Sequence, residues 1–208
     1  QREKRTPCLP LAPKTSPNGS CGATTASVAD AVGAVTASRR NPPTVTFVSD
    51  YHDHPAYLRA LTEHVRASWA GHGRPDHTVL SFHGIPQSYA DNGDTYRSRC
   101  EHTATLLADA LGLGEEWTLS FQSRFGPAQW LPPYTVDVLA DLASRDLGRV
   151  DVVCPGFAVD CLETVDEIGR EAARHYHEHG GGDFRYVPAL NASPAHGLAL
   201  AEVLRPYL

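Results

Sequence analysis

Four short apolar segments, each followed by a helical pattern, constrain the fold of this chain more than any other feature. The segments are rich in β-branched or aromatic residues and lie at 78–82, 117–121, 149–154 and 184–188. Helical patterns follow at about 96–111, 135–145, 161–178 and 194–206. Short buried strands that alternate with helices form parallel sheets with right-handed crossovers. The sequence therefore predicts an α/β fold, a three-layer α/β/α sandwich around a parallel four-stranded sheet.

The part of the chain before residue 76 is less regular. Its first 20 residues hold four prolines, which predicts an irregular N-terminal segment. Residues 23–37 favour a helix, 44–49 a strand, and 55–71 a helix that Pro55 begins. The chain starts with Gln1 and contains no Met, so we expect a processed protein or a piece of a longer one.

Composition and charge exclude several classes of protein. The net charge of −6 argues against a general nucleic-acid binder, which needs a basic face. The five cysteines are odd in number and form no CxxC pair, so we expect a reducing, cytoplasmic setting rather than a disulfide framework or zinc ribbon. No apolar run approaches the length of a membrane-spanning helix. No GxGxxG, GxxxxGK[ST] or GxSxG motif supports nucleotide binding or serine hydrolysis.

Polar residues that could carry chemistry follow the predicted strands, at the edge where parallel sheets bind ligands. His83 ends the first strand, and Glu163 begins the helix after the third. A neutral imidazole can accept a proton or bind a metal near neutral pH. A histidine at a strand end can equally bond a backbone group, and this alternative stays open.

Glu163, Glu167 and Glu171 are spaced by four residues, which places three carboxylates in one row on a helix. Such a row could bind or pass on a divalent cation, which favours oxygen ligands. The same residues also fit a solvated helix face, and Asp160-x-x-Glu163 fits a variant capping box. Two histidine groups are equally ambiguous. His52-Asp53-His54 could be metal ligands or helix caps, and His175-x-His177-x-His179 favours a solvated helix end.

Aromatic residues share the same predicted edge and could wall a cleft for a flat apolar ligand, or could be core. They are Phe82, Phe125, Trp130, Tyr134 and Phe157.

At these loops the sequence closely resembles ferrochelatases, enzymes that insert ferrous iron into a porphyrin. The matching stretches are SFHGIPQSYADNGDTY (81–96), FQSRFGPAQWLPPYT (121–135), VCPGFAVDCLETVDEI (153–168) and YVPALNASPAH (186–196). A fainter match covers 9–28 and 49–61, although residues 12–23 depart from the family pattern. The resemblance extends over nearly the whole chain after about residue 9.

The resemblance implies two similar α/β lobes with the porphyrin held between them. Residues 1–75 would be a remnant of the first lobe, and 76–208 the second lobe, a chelatase-like, Rossmann-type unit. The last helix, 194–207, would pack toward the first lobe. The absent part of the first lobe would supply one wall of the cleft.

The resemblance also implies roles for individual residues. The family's catalytic histidine and glutamate fall on His83 and Glu163. Metal contacts are implied for His83, Glu163, Glu167 and Glu171. The residues expected to bind the substrate are Ser123, Trp130, Tyr134 and Phe157. Some members hold a [2Fe–2S] cluster through C-terminal cysteines, but no Cys follows Cys161, so we expect no cluster and no tightly bound cofactor.

We therefore expect a lyase of haem biosynthesis that converts protoporphyrin IX to protohaem, with porphyrin and Fe²⁺ as substrates. The alternatives are a truncated porphyrin- or metal-binding fragment without catalysis, and a coproporphyrin ferrochelatase. A cobalt or nickel chelatase ranks lower, because such enzymes typically rely on paired histidines. Peripheral membrane association and the oligomeric state are left open by the sequence.

Overall fold

The computed structural model describes residues 8–11, 17 and 27–208. Within these residues the sheet elements are β1 (Cys8–Leu11), β2 (Thr44–Phe47), β3 (His77–His83), β4 (Trp117–Gln122), β5 (Arg149–Val153) and β6 (Asp183–Val187). The α-helices are α1 (Ser27–Ala37), α2 (Pro55–His72), α3 (Gln87–Asp91), α4 (Tyr96–Leu111), α5 (Thr135–Ala143), α6 (Ala173–Glu178) and α7 (Pro194–Leu204). A π-helix, Glu163–Ala172, runs directly into α6, and a 3₁₀ turn, Arg205–Tyr207, ends α7.

The four predicted strands after residue 76 are confirmed, and each end lies within one residue of its predicted position. They pair in parallel in the order β4-β3-β5-β6. One hydrophobic cluster joins this sheet to α2, α4 and α7, and a second joins it to α5, the π-helix and α6. Helices therefore cover both faces, which confirms the three-layer α/β/α sandwich.

Three details differ from the sequence-based expectation. The helix predicted over 161–178 begins at Glu163, and its first ten residues are π-helical. The short helix α3 was not predicted, because its five residues are too few to show a period. The strand pair β1 and β2 forms a separate two-stranded parallel sheet. The irregular N-terminal segment and the start of the 23–37 helix fall mostly outside the described residues.

The predicted boundary at residues 75 and 76 separates elements that share one hydrophobic cluster. Tyr57 and Val65 of α2 are buried together with Leu80 and Phe82 of β3. Helix α7 begins as the sequence predicts, since the Ser193 side chain accepts a hydrogen bond from the His196 backbone N–H. It packs against α2. The division into two lobes nevertheless stays a prediction.

No helix among residues 27–208 is both long enough and apolar enough to cross a bilayer.

The order of the strands creates a crevice between β3 and β5. The connection from β3 to β4 carries α4 on one face of the sheet, whereas the connection from β5 to β6 carries the π-helix and α6 on the other. Chains that leave two neighbouring strands toward opposite faces open a gap at their carboxyl ends, where such sheets bind ligands. His83 and Glu163 follow these two strands.

A buried carboxylate links the far end of the sheet to α2. Asp151, on β5, is fully buried and pairs with the guanidinium of Arg185 on β6. The indole Nε1–H of Trp69 on α2 donates to the same carboxylate at 3.0 Å. Removal of one partner leaves a buried charge unpaired, which is strongly destabilising. The contacts of Asp151 with Arg185 and Trp69 therefore stabilise the fold only when all three side chains are present.

We expect Asp151→Ala to lower the free energy of unfolding by about 3–5 kcal/mol, because it leaves the Arg185 guanidinium with backbone carbonyls but without its carboxylate partner. Urea denaturation followed by circular dichroism measures the loss. Asp141→Ala is the control, because it removes an exposed i, i+4 pair with Arg145 and should change stability little. Equal stabilities of the two variants would contradict the role of Asp151.

Candidate functional site

His83 lies at the carboxyl end of β3, and its backbone is held from two sides. Its carbonyl accepts a hydrogen bond from the buried Tyr96 hydroxyl at 2.9 Å. The next residue, Gly84, donates its N–H to the Gln122 carbonyl at 2.8 Å. A Cβ at position 84 would lie 2.8 Å from that carbonyl oxygen and 3.1 Å from the Trp130 ring, so only glycine fits here. His83 is therefore fixed between β4 and α4.

The hydrogen bond of the His83 ring assigns its tautomer. Nδ1 lies 2.6 Å from the Gly84 carbonyl oxygen, which can only accept, so Nδ1 carries the proton. In the neutral ring Nε2 then keeps a lone pair for a proton or a metal ion. The rings of Trp130 and Phe157 each lie 6.4 Å from the imidazole, measured between centroids. The imidazole is thus flanked by two residues that the sequence assigned to substrate binding.

Glu163 is the first residue of the π-helix and carries a stabilised negative charge. A hydrogen bond from the Cys161 thiol, and then one from its own backbone N–H, hold the pKa of Glu163 below its usual value against the opposing effect of burial. The nearby His83 imidazole lowers this pKa further. The two predicted catalytic residues thus lie at one edge of the sheet, where each follows a strand that borders the crevice.

Gln122, at the end of β4, fixes the start of the π-helix. Its side-chain amide donates to the Glu163 carbonyl at 2.6 Å, and its amide oxygen accepts from the Ser81 hydroxyl at 2.8 Å. Gln122 is buried, so these bonds face little competition from water.

The next two glutamates of the row lie in different surroundings. Glu167 accepts hydrogen bonds from the Ser123 backbone N–H and hydroxyl, both at 2.6 Å. These bonds hold Ser123 at a φ of +62°, a left-handed conformation that serine rarely adopts. Glu171 is exposed and lines a cavity of about 340 Å³ together with Glu167, Ser123, Arg124, Tyr134 and His175.

The predicted substrate residues thus fall into two groups. Trp130 and Phe157 flank His83, whereas Ser123 and Tyr134 line the cavity beside Glu167. A hydrogen bond of 3.2 Å from the Tyr134 hydroxyl to the Trp130 carbonyl connects the two groups. The Arg124 guanidinium lies over the Tyr134 ring, 4.5 Å from its centroid. Of the remaining aromatic candidates, Phe82 is core and Phe125 is exposed.

The histidine groups separate as well. His54 caps α2, since its Nδ1 accepts from the Ala56 N–H. His175 and His179 lie near the end of α6 and bond backbone carbonyls, in agreement with a solvated helix end. His52 and Asp53 belong to a different cluster, described below.

The loop that leads to Glu163 is held by Asp160, which sequence reasoning considered only as a helix cap. Its carboxylate accepts from the Tyr186 hydroxyl at 2.6 Å, the Ala189 N–H at 3.0 Å and the Asn191 amide at 2.7 Å. The Thr164 hydroxyl is 3.3 Å away. Glu163 makes no capping-box contact with Asp160 in this arrangement. In place of a capping box, Asp160 therefore contacts Tyr186 on β6 and Ala189 and Asn191 in the segment after it.

The chain is similar to ferrochelatases over almost its full length. A family model described as Ferrochelatase matches residues 2–208. The curated ferrochelatase of Methylococcus capsulatus is 48% identical over 96% of this chain and 60% of its own length. That of Janthinobacterium sp. is 48% identical over 90% of this chain and 51% of its own length. The chain thus spans little more than half the length of these relatives.

A solved structure supports the fold. SirB from Bacillus subtilis with Fe³⁺ superposes with a TM-score of 0.62, covering 95% of this chain and 70% of that one, at 12% identity. Fold and site together define an α/β protein with a histidine and a glutamate at the crevice of a parallel sheet. Within that class, the chain belongs to the ferrochelatase family.

Asp160 makes the stability of this loop depend on pH. Burial raises the pKa of Asp160, but the hydrogen bonds from Tyr186, Asn191 and Ala189 outweigh burial and hold this pKa below its usual value. A carboxyl with a depressed folded-state pKa stabilises the fold above its unfolded pKa of about 3.9, and this contribution disappears as pH falls through the folded value.

We therefore expect Asp160→Asn to be less stable than the parent chain at pH 7, by about 2 kcal/mol for the loss of hydrogen bonds to a charged group. The difference should shrink as pH falls from 5 toward the depressed pKa. Thermal unfolding at several pH values measures it. Asp109→Asn, at an exposed position of α4, is the matched control. A pH-independent difference would refute the electrostatic part of this account.

Proposed function

We propose that this chain carries the metal-insertion site of a ferrochelatase and that the whole protein inserts ferrous iron into a porphyrin. The observation that carries the proposal is that His83, whose Nε2 keeps a lone pair in the neutral ring, and the anionic Glu163 each follow one of the two strands that border the crevice, β3 and β5. We choose iron insertion as the reaction because the chain belongs to the ferrochelatase family. The proposed conversion is protoporphyrin IX to protohaem, in the cytoplasm.

The reaction requires two proton transfers. Fe²⁺ replaces the two inner N–H protons of the macrocycle, so a base must receive them while iron exchanges water for pyrrole nitrogens. In the proposal His83 accepts these protons or holds the arriving iron, and Glu163 acts beside it. Binding that bends the flat ring would expose the nitrogen lone pairs and lower the barrier.

The edge around this pair offers an apolar surface for a flat ring. Phe125 and Leu162 are 83% and 73% exposed, and Val159 also reaches solvent. Exposed apolar side chains that cluster at a ligand edge are typical of binding surfaces. With Trp130 and Phe157 beside His83, they are the residues we propose as one wall of a porphyrin cleft. Ser123 and Tyr134 would extend that wall.

Glu167 and Glu171 are proposed to guide iron toward Glu163. Glu171 opens onto the cavity, and Glu167 lies between it and Glu163 in the sequence of the π-helix. Carboxylate oxygens suit a hard divalent cation. The bonds from Ser123 to Glu167 still leave lone pairs on both oxygens.

The length of the chain supports a second candidate, porphyrin or metal binding without turnover. This chain matches 60% and 51% of the length of two curated relatives, and the portion of those relatives outside the match would supply the opposite wall of a cleft. The two candidates are separated by assaying this chain beside a chimera. The chimera places the N-terminal part of the Methylococcus capsulatus relative, up to its matched region, before this chain. If the chimera inserts iron under anaerobic conditions and the 208-residue chain does not, the 208 residues by themselves bind porphyrin or metal without turnover.

We expect His83→Ala in the chimera to lower kcat for iron insertion at least 100-fold, because a positioned base contributes about 10²–10⁴ to such rates. Glu163→Gln should have an effect of the same order. Haem absorbance under anaerobic conditions measures the rate, and quenching of porphyrin fluorescence checks that the ring still binds. His177→Ala, at an exposed position of α6, is the control. Normal turnover by His83→Ala would refute the assignment.

The proposed iron route predicts a difference between Glu167→Gln and Ser123→Ala. Glu167→Gln should raise the KM for Fe²⁺ about tenfold, because it removes a charged oxygen ligand from the route. Ser123→Ala removes one hydrogen bond to Glu167 but leaves its charge, and should leave this KM nearly unchanged. Unfolding measurements on both variants separate lost stability from lost iron binding. If Glu167→Gln and Ser123→Ala changed the KM for Fe²⁺ equally and the free energy of unfolding equally, Glu167 would only hold Ser123 in place.

A further inference from the structure

A second group of metal-binding side chains lies apart from His83 and Glu163. It consists of His52 and Asp53, in the loop before α2, and His102 on α4. One ligand atom from each residue lies within 4.8 Å of those of the other two. Two imidazoles and one carboxylate form a ligand set that suits divalent first-row transition metals rather than Mg²⁺ or Ca²⁺.

The His52 ring is already oriented for such a role. Its Nδ1 lies 2.6 Å from Asp50 Oδ1, and a carboxylate can only accept, so Nδ1 carries a proton and, in the neutral ring, Nε2 keeps a lone pair. The other oxygen of Asp50 meets Arg99 Nη1 at 3.1 Å, which fixes the carboxylate. Histidine ligands in metal sites commonly donate their second ring N–H to a carboxylate in this way.

The backbone around the cluster is tied together across two elements. The Thr103 hydroxyl, on α4, donates to the His52 carbonyl at 3.0 Å. The rings of His52 and His102 meet edge to face, with centroids 5.6 Å apart. The loop and the helix are therefore joined directly beside the cluster, and the two imidazoles are in contact.

The cluster needs only a small adjustment to bind a metal. Zn–N bonds of about 2.0–2.1 Å place two ligands of a tetrahedral ion roughly 3.4 Å apart. Asp53 and His102 are exposed, so their side chains can rotate inward by the remaining distance, whereas His52 is held by Asp50. His54 is not part of this set, because its Nδ1 accepts the Ala56 N–H.

We propose that His52, Asp53 and His102 bind one divalent transition-metal ion of the Fe²⁺, Co²⁺ or Zn²⁺ class, with Asp50 orienting His52. This peripheral site shares no residue with the proposed iron-insertion site. Its occupancy is independent of porphyrin, so failure of the proposed function leaves it testable.

The test is a Zn²⁺ titration of the 208-residue chain against a chromophoric chelator. It is carried out in a His83→Ala/Glu163→Gln background, which removes the two catalytic ligands of the proposed insertion site; zinc that stays bound at Glu167 and Glu171 is the same in every variant compared. We expect His102→Ala to remove one equivalent of bound Zn²⁺, and Asp50→Asn to weaken that equivalent about 10- to 100-fold. His102 is exposed, so its replacement should not disturb folding, which circular dichroism verifies.

Two controls make the result specific. His72→Ala changes an exposed histidine whose Nδ1 bonds its own helix, and His179→Ala tests the histidines at the end of α6. Both should leave the Zn²⁺ equivalent in place. The proposal is overturned if His102→Ala binds as much Zn²⁺ as the background with the same affinity. It is also overturned if His179→Ala removes the same equivalent.

Discussion

The parallel pairing of β3 with β5 is the constraint on which the functional part of this structure depends. Their backbone register sets how far His83 extends beyond the end of β5 and where the loop toward Glu163 begins. Because the helices that follow these strands cover opposite faces of the sheet, the gap between the strand ends stays open. An imidazole and a carboxylate from segments 80 residues apart are therefore brought to the same edge of the sheet.

Polar contacts then hold the two residues in place where apolar packing cannot. Tyr96 and Gln122 bind the backbone beside His83 and Glu163, and Asp160 holds the intervening loop. The Tyr57 hydroxyl of α2 donates to the Pro155 carbonyl at 2.5 Å, so the first turn of the same loop is anchored from the opposite layer. Loops at ligand edges carry few apolar anchors, and these hydrogen bonds replace them.

Hydrophobic periodicity was sufficient to locate the sheet and most helices, because burial on both faces leaves a strong pattern in the sequence. It could not reveal the π-helix, since side-chain spacing does not report which carbonyl each N–H bonds. The role of Asp160 was also hidden, because Tyr186 and Asn191 lie about 30 residues later and meet it only through the β5–β6 pairing. Local signals placed His83 and Glu163 at one edge, whereas the effect of His83 on the pKa of Glu163 could be found only from the tertiary structure.

The π-helix restricts how this part of the chain can change in length. Thr164, Ile168 and Ala172 are buried along it, and Tyr176 anchors its continuation in the core. Deleting one residue would allow ordinary α-helical pairing but would turn Glu163 by about 100° relative to Tyr176. Substitutions at the exposed positions leave this relation intact. Insertions and deletions between Glu163 and Tyr176 are therefore far less tolerable than changes of residue type.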